Sequence, residues 1–382
     1  MGPSSIDLPA VLERGWAPHT STADSDQMAR RAAICSALKQ QGTEAFLSRH
    51  LPQIRYTTGF TGSSGLIILS LFDWVLLVDS RYTDQAKTET KGVEVREIQG
   101  KLEESVSRVI KELRIQRMGY EAERTSVALL DILKEKAPRR TEWSAQNNWL
   151  DALRAIKDKG EIHLVRKAAD LASQACRMLV KWIKPGVMEL DIAAELEFWM
   201  RKQGAEKLSF DPVIASGPRS GFPHSRASVH RLPAKGWVVV DFGALVRGYS
   251  SDMTRTFYLG RPNKEDRRWY RAVQEAQEKA IRFLRPGRRS DEPYWLVKKS
   301  LKRHRLDELF THGLGHGIGL ELHEVPSLSY KAPERLYANM IVTVEPGVYL
   351  PNQAGIRIED MVLLTSNGCE LLTDFSRDLL VL

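Results

Sequence analysis

Trp237-Val238-Val239-Val240-Asp241-Phe242 is the stretch on which the reading of this chain turns. Its consecutive valines make it a β-rich run. A carboxylate in such a run needs a partner. The next extended run, Ser250 to Tyr258, carries Asp252. A hairpin turning at Val246-Arg247, just before Gly248, sets Asp241 opposite Asp252. The pattern recurs nearer the C-terminus. Glu345 ends the run Ile341 to Val344, and Glu359 follows Gly355-Ile356-Arg357-Ile358. A turn centred on Asn352, after Pro351, sets Glu345 opposite Glu359. Directly opposed residues have Cβ atoms about 5 Å apart, and like charges there are destabilising. Two such pairs in one domain call for a cation between them.

A histidine joins the four acids. His316 lies in Thr311-His312-Gly313-Leu314-Gly315-His316-Gly317-Ile318-Gly319. His312 and His316 have the spacing of a helical zinc motif, but Gly313 stands where that motif needs Glu, and alternating glycines oppose a helix. The glycines are expected to let backbone approach a bound ligand closely. Oxygen donors with one imidazole favour Mn²⁺, Fe²⁺ or Co²⁺ and admit Zn²⁺. Four carboxylates balance two divalent ions. Two metals about 3.5–4 Å apart can hold a hydroxide and clamp a developing oxyanion, so hydrolysis is the natural reaction.

At 382 residues the chain suits two domains. Hydrophobic content of 42% and charged content of 27% are those of an ordinary globular protein. No apolar stretch approaches the ~20 residues of a membrane span, and no secretory signal is visible. Cys35, Cys176 and Cys369 are too scattered for a disulfide framework, so the cytoplasm is the expected location. The net charge of +8 raises the question of nucleic acid. The densest basic run, Lys298, Lys299, Lys302, Arg303 and Arg305, reads as a solvated helix face without a nucleic-acid motif. No nucleic-acid or membrane partner is expected.

Residues 1–24 are Pro- and Ser-rich and expected to be loosely ordered. From Ser25, an N-cap candidate, a helix runs to Gln41. Short strands then alternate with helices, as in an α/β domain over residues 25–145. Charged Lys134 to Arg140 reads as the approach to a linker. Residues 146–382 alternate helix pairs with hairpins. Asp158-Lys159-Gly160-Glu161 is a capping-box start to a long amphipathic helix, and each hairpin carries one acidic pair.

Together these segments resemble the creatinase/prolidase/aminopeptidase P family of metallopeptidases. The matching stretches include Ser209-Phe210-Asp211-Pro212, Asp241-Phe242-Gly243, Ser251-Asp252-Met253-Thr254-Arg255-Thr256-Phe257, His312-Gly313-Leu314-Gly315-His316-Gly317, His323-Glu324-Val325-Pro326, Val344-Glu345-Pro346-Gly347-Val348-Tyr349 and Gly355-Ile356-Arg357-Ile358-Glu359-Asp360. Tyr56-Thr57-Thr58-Gly59-Phe60-Thr61-Gly62 and Asp79-Ser80-Arg81-Tyr82 extend the likeness into the first domain. The resemblance implies an α/β N-terminal domain followed by an α+β "pita-bread" catalytic domain. It implies two divalent ions, manganese first, with cobalt, zinc or iron as alternatives. Asp241 would chelate one ion, His316 and Glu345 the other, and Asp252 and Glu359 would bridge both. His224 and His323 would meet the substrate, His312 and Tyr349 would line the site, and Arg357 would support it.

The implied reaction is hydrolysis of Xaa-Pro bonds in proline-containing peptides by a metal-bridging hydroxide, with Glu345 relaying the proton. A tertiary amide without an N–H suits a site that polarises the carbonyl directly. Prolidases of the family often carry an Arg just after His-Glu-x-Pro, where Ser327 stands here. That departure favours an aminopeptidase P-like enzyme over an Xaa-Pro dipeptidase. A methionine aminopeptidase would lack the first domain, and a non-catalytic member would lack metal ligands. Family members commonly form homodimers.

Overall fold

The computed structural model describes residues 23–147, 149–331 and 334–382. The expected loose segment 1–24 therefore falls almost wholly outside the described residues. The chain divides into two compact units between Arg154 and Ala155.

The first unit is built on a six-stranded mixed sheet. Its strands are β1 (Ala45–Ser48), β2 (Leu66–Ser70), β3 (Trp74–Val78), β4 (Glu94–Glu97), β5 (Arg117–Glu121) and β6 (Glu142–Gln146), in spatial order β4-β3-β2-β1-β5-β6. β1–β3 form an antiparallel meander, and β4, β5 and β6 add in parallel. Parallel additions need crossovers, supplied here by helices Thr83–Glu89, Leu102–Glu112 and Val127–Lys136. Leu47, Leu66, Ile68, Val75 and Met118 bury one sheet face against Val106, Val109 and Ile110.

Two expectations need correction. Ser25 is not the N-cap of the first helix, which spans Ala23–Gln40 and already includes it. Asp24, Ser25 and Asp26 all cap well, so residue type does not single one out. Nor do Lys134 to Arg140 lead out of the sheet. The chain returns as β6, whose mostly exposed residues mark an edge strand and give no apolar signal.

The second unit places helices around short sheets. Its strands are β7 (Lys207–Leu208), β8 (Val213–Ser216), β9 (Gly236–Phe242), β10 (Ala244–Val246), β11 (Tyr249–Ser250), β12 (Met253–Leu259), β13 (Gly315–Gly317), β14 (Glu324–Leu328), β15 (Ile341–Val344), β16 (Gly347–Leu350), β17 (Ala354–Arg357), β18 (Asp360–Leu364) and β19 (Cys369–Leu371). Two sheets position the site: β12-β9-β8 and β14-β13-β15-β18-β19. Helix Lys159–Trp182 bears on both. It opens with the expected capping box, Asp158 accepting from the Glu161 amide and Glu161 from the Asp158 amide. Its early residues Val165 and Ala169 pack with Ile341 and Met361 of the second sheet and with Ile318 just after β13. Its later residues Ala172, Cys176 and Leu179 pack with Val238, Val240 and Phe242 of the first. Among the described residues, no helix is long and apolar enough to cross a membrane.

Candidate metal centre

In β9, Val238, Val240 and Phe242 face the helix-packed core. Strand alternation sends Asp241 to the other face. The hairpin returns through Arg247 at φ 47° and Gly248 at φ 76°. Two successive positive φ values make a two-residue turn matched to strand twist. The turn lies one residue beyond the expected Val246-Arg247, which moves the register by two. Asp241 therefore faces Thr254, with Phe242 facing Met253. Asp252 is not directly opposite Asp241, as the sequence suggested, but diagonal to it. A shift of two preserves the face, so both carboxylates still line one cavity.

The second pair keeps its expected register. β16 and β17 pair Gly347 with Arg357 and Leu350 with Ala354, around a turn at Asn352. β15 and β18 pair Val344 with Asp360 in the same register. Between these ladders Ile358 donates its amide to Pro346 O, leaving Glu345 and Glu359 opposed. Glu359 is 1% exposed. Its Oε2 accepts from Thr254 Oγ1 at 2.7 Å, and Thr254 Oγ1 accepts from Arg357 Nε at 3.1 Å.

His316 sits on β13, a strand, flanked by glycines. Gly313 and Gly315 line the cavity, and Gly315 and Gly317 also meet backbone of neighbouring strands. A Cβ on Gly315 would collide with Thr343 O, and one on Gly317 would collide with Val325 O. The strand can thus thread between β14 and β15. The His316 amide donates to Thr343 Oγ1, and its ring Nδ1 lies 3.0 Å from Gly317 O. That contact fixes the Nδ1–H tautomer and leaves Nε2 as a free donor atom. Gly315→Ala should cost roughly 1–3 kcal/mol of stability through overpacking. It should also weaken metal binding by displacing His316. Urea unfolding and metal titration check the two effects.

Ligand atoms of Asp252, His316 and Glu359 lie within 4.8 Å of one another. His316 Nε2 is 3.6 Å from Asp252 Oδ2 and 3.5 Å from Glu345 Oε1. Arg357 Nη2 donates to Asp241 Oδ2 at 2.6 Å. Among the described residues, buried Asp241 Oδ1, Asp252 Oδ1 and Glu359 Oε1 have no hydrogen-bond partner. Such oxygens are costly unless a cation claims them. Burial, and then neighbouring carboxylates, hold Asp252 and Glu359 well above the usual carboxylate range. Burial pushes Glu345 up to about 8, against the pull of Arg357. Burial lowers His316 to about 4, leaving its imidazole neutral. Neutral imidazole, orphaned carboxylate oxygens and mutual repulsion are the chemistry of a divalent-ion site.

The other expected residues line the same cavity of about 500 Å³. His323 packs edge-on to His316, with ring centroids 4.3 Å apart. His224 is exposed on the loop after β8. Arg357 Nη1 donates to Tyr349 Oη at 2.7 Å, and His312 Nε2 lies 3.2 Å from that oxygen. With His312 Nδ1 donated to Gly313 O, the phenol is left to donate to Nε2. Burial lowers His312 to about 4, consistent with this neutral tautomer. Sequence reasoning did not single out Thr254 as the link between Arg357 and Glu359. It also missed Glu189, a wholly buried carboxylate that holds the loop on both sides of His224. Glu189 accepts from the amides and hydroxyls of Ser216 and Ser228, and from Arg219 Nε. Its only sequence cue was the acid at a helix start.

Residues 163–366 match the model of metallopeptidase family M24, and residues 30–156 match the creatinase/prolidase N-terminal domain. An Xaa-Pro dipeptidase of Pyrococcus furiosus is 40% identical over 67% of this chain and 73% of its own length. The structure of an Xaa-Pro dipeptidase from Bacillus anthracis superposes with a TM-score of 0.91 at 35% identity, covering 93% of this chain and 100% of that one. That of an X-Pro aminopeptidase from Thermotoga maritima gives 0.85 at 36% identity, covering 91% and 100%.

Proposed function

This chain belongs to metallopeptidase family M24, with the creatinase-type N-terminal domain and the pita-bread fold, and on that premise we propose that it hydrolyses the bond before proline in short peptides, Xaa-Pro dipeptides ahead of longer ones. One observation carries the reading. Asp241, Asp252, His316, Glu345 and Glu359 converge on one cavity, where, among the described residues, no protein donor reaches Asp241 Oδ1, Asp252 Oδ1 or Glu359 Oε1. These residues would hold two divalent ions, manganese first. Such ions would supply a nucleophile from water at neutral pH and polarise the scissile carbonyl.

The protein's own groups account for the rest. Glu345 stands beside His316 and would carry the proton from the attacking water to the proline nitrogen. His323 and His224 border the cavity and would donate to the carbonyl oxygen as it gains charge. Arg357 fixes Asp241 and the Tyr349 hydroxyl, so neither swings into the space that the substrate needs. The complete ligand set supports an enzyme over a binding protein on this fold. The likeness to the Pyrococcus and Bacillus dipeptidases supports dipeptides, against the inference from Ser327 alone. The Thermotoga relative keeps the aminopeptidase reading as second.

The test is an assay of manganese-loaded protein on Xaa-Pro dipeptides beside Xaa-Pro-Yaa tripeptides. Dipeptides should turn over faster. Turnover of tripeptides alone would make the protein an aminopeptidase. No turnover of either, with two ions bound per chain, would overturn the proposal.

A further inference from the structure

We propose that Arg226 reads the free α-carboxylate of an Xaa-Pro dipeptide, standing in for the arginine that Ser327 replaces; this rests on the function proposed above. A dipeptide places a carboxylate directly on the residue after the scissile bond, so its recognition needs a cation inside the same cavity. Among the described residues lining that cavity, the arginines are Arg226 and Arg357, and there is no lysine. Arg357 is spent. Its guanidinium donates to Thr254 Oγ1, Pro223 O, Tyr349 Oη and Asp241 Oδ2.

Arg226 differs on each count. Its side chain is 82% exposed, and it meets Asp211, itself 79% exposed, at a loose 3.8 Å. An exposed pair at that distance is worth little. The guanidinium can leave it for a planar bidentate partner such as a carboxylate. Mobility of the side chain does not mean mobility of its base. Arg226 forms a β-bridge with Val213, and its carbonyl accepts from Arg219 Nη2 at 2.7 Å. Arg219 is in turn held by buried Glu189. The same loop carries Pro223 and His224, so the proposed carboxylate reader and the proposed carbonyl donor share one braced support. Ser327 offers no charge, and its hydroxyl donates to Ser329 Oγ at 3.2 Å.

The experiment compares an Xaa-Pro dipeptide with its C-terminal amide on wild type, Arg226→Ala and Arg226→Lys. A charge-assisted hydrogen bond of about 1.5–3 kcal/mol corresponds to roughly 10- to 100-fold. Arg226→Ala should lose that much kcat/KM on the free acid, mainly through KM. It should change little on the amide, which also shows that the variant is folded. Arg226→Lys should recover part of the loss. Equal losses on acid and amide, or no loss on either, would overturn the role of Arg226. Calorimetric binding of the two peptides separates this from the function itself. A wild-type preference for the acid that Arg226→Ala abolishes, without turnover in any variant, would uphold the arginine and sink the hydrolysis.

Discussion

Glu359→Gln should abolish hydrolysis and, at pH 8, make the metal-free protein harder to melt. The first effect follows from the proposed role of Glu359 as a metal ligand, its carboxylate grouping with Asp252 and His316. Losing several kcal/mol of Lewis-acid stabilisation, at about 1.36 kcal/mol per tenfold, removes roughly a thousandfold or more in kcat. The second effect comes from the opposite side of the same design. Without metal, Glu359 is buried among acids that repel it, and its pKa stands well above the usual range. The folded state then holds more protons than the unfolded chain, so stability falls as pH rises. The window opens near the ordinary carboxylate value of about 4 and extends to about 8, where Glu345 titrates. The side chain introduced by Glu359→Gln would carry no charge, could still accept from Thr254 Oγ1, and would offer its amide to Asp252 and Asp241. Melting curves from pH 4 to 8, with and without Mn²⁺, check the set. Wild type should lose stability with pH and regain it with metal; the variant, which keeps Asp252 and Glu345 with their raised pKa values, should lose less and regain less. A variant that melts lower than wild type at pH 8 without metal would contradict this account.

The same repulsion explains how much of the site was legible in the sequence. Acids at the ends of apolar, β-branched runs are costly, and cost marks function more visibly than identity does. The Glu345–Glu359 register could be read because Pro351-Asn352 leaves few ways to turn. The Asp241–Asp252 register was misjudged because Arg247 takes a positive φ that residue type does not advertise. Moving a turn by one residue shifts register by two and preserves the face, so Asp241 and Asp252 still line one cavity. The strand-packing role of Gly315 and Gly317 is hidden in the sequence for a different reason. A glycine that admits a neighbouring strand and one that admits a ligand look alike until the neighbours are placed. Thr254 and Glu189 act through residues distant in sequence, so no local pattern announces them.

Arg255 tests the buried support behind the ligands. It is 1% exposed, yet its guanidinium is saturated. Nε donates to Ser376 O, Nη1 to Thr254 O and Glu359 O, and Nη2 to Asp360 Oδ1 and Phe375 O. Asp360 also accepts from Thr373 Oγ1 and Gln277 Nε2. Arg255→Met keeps volume but takes away the hydrogen-bonded cation of Asp360, leaving Arg377 at 3.9 Å, and leaves buried carbonyls without donors. Breaking one side of a buried pair costs about 3–5 kcal/mol, a fall in Tm of roughly 10 °C for a domain of this size. Two of the lost bonds end on the carbonyls of Thr254 and Glu359, so metal affinity should fall with stability. Arg255→Lys separates charge from geometry. Its ammonium can pair with Asp360 but has three donors for five acceptors. It should therefore recover part of the stability and less of the metal affinity. Urea unfolding and metal titration of both variants decide the matter. Equal recovery of both quantities in Arg255→Lys would show that the charge alone matters and that the carbonyl clamp on the Glu359 backbone does not.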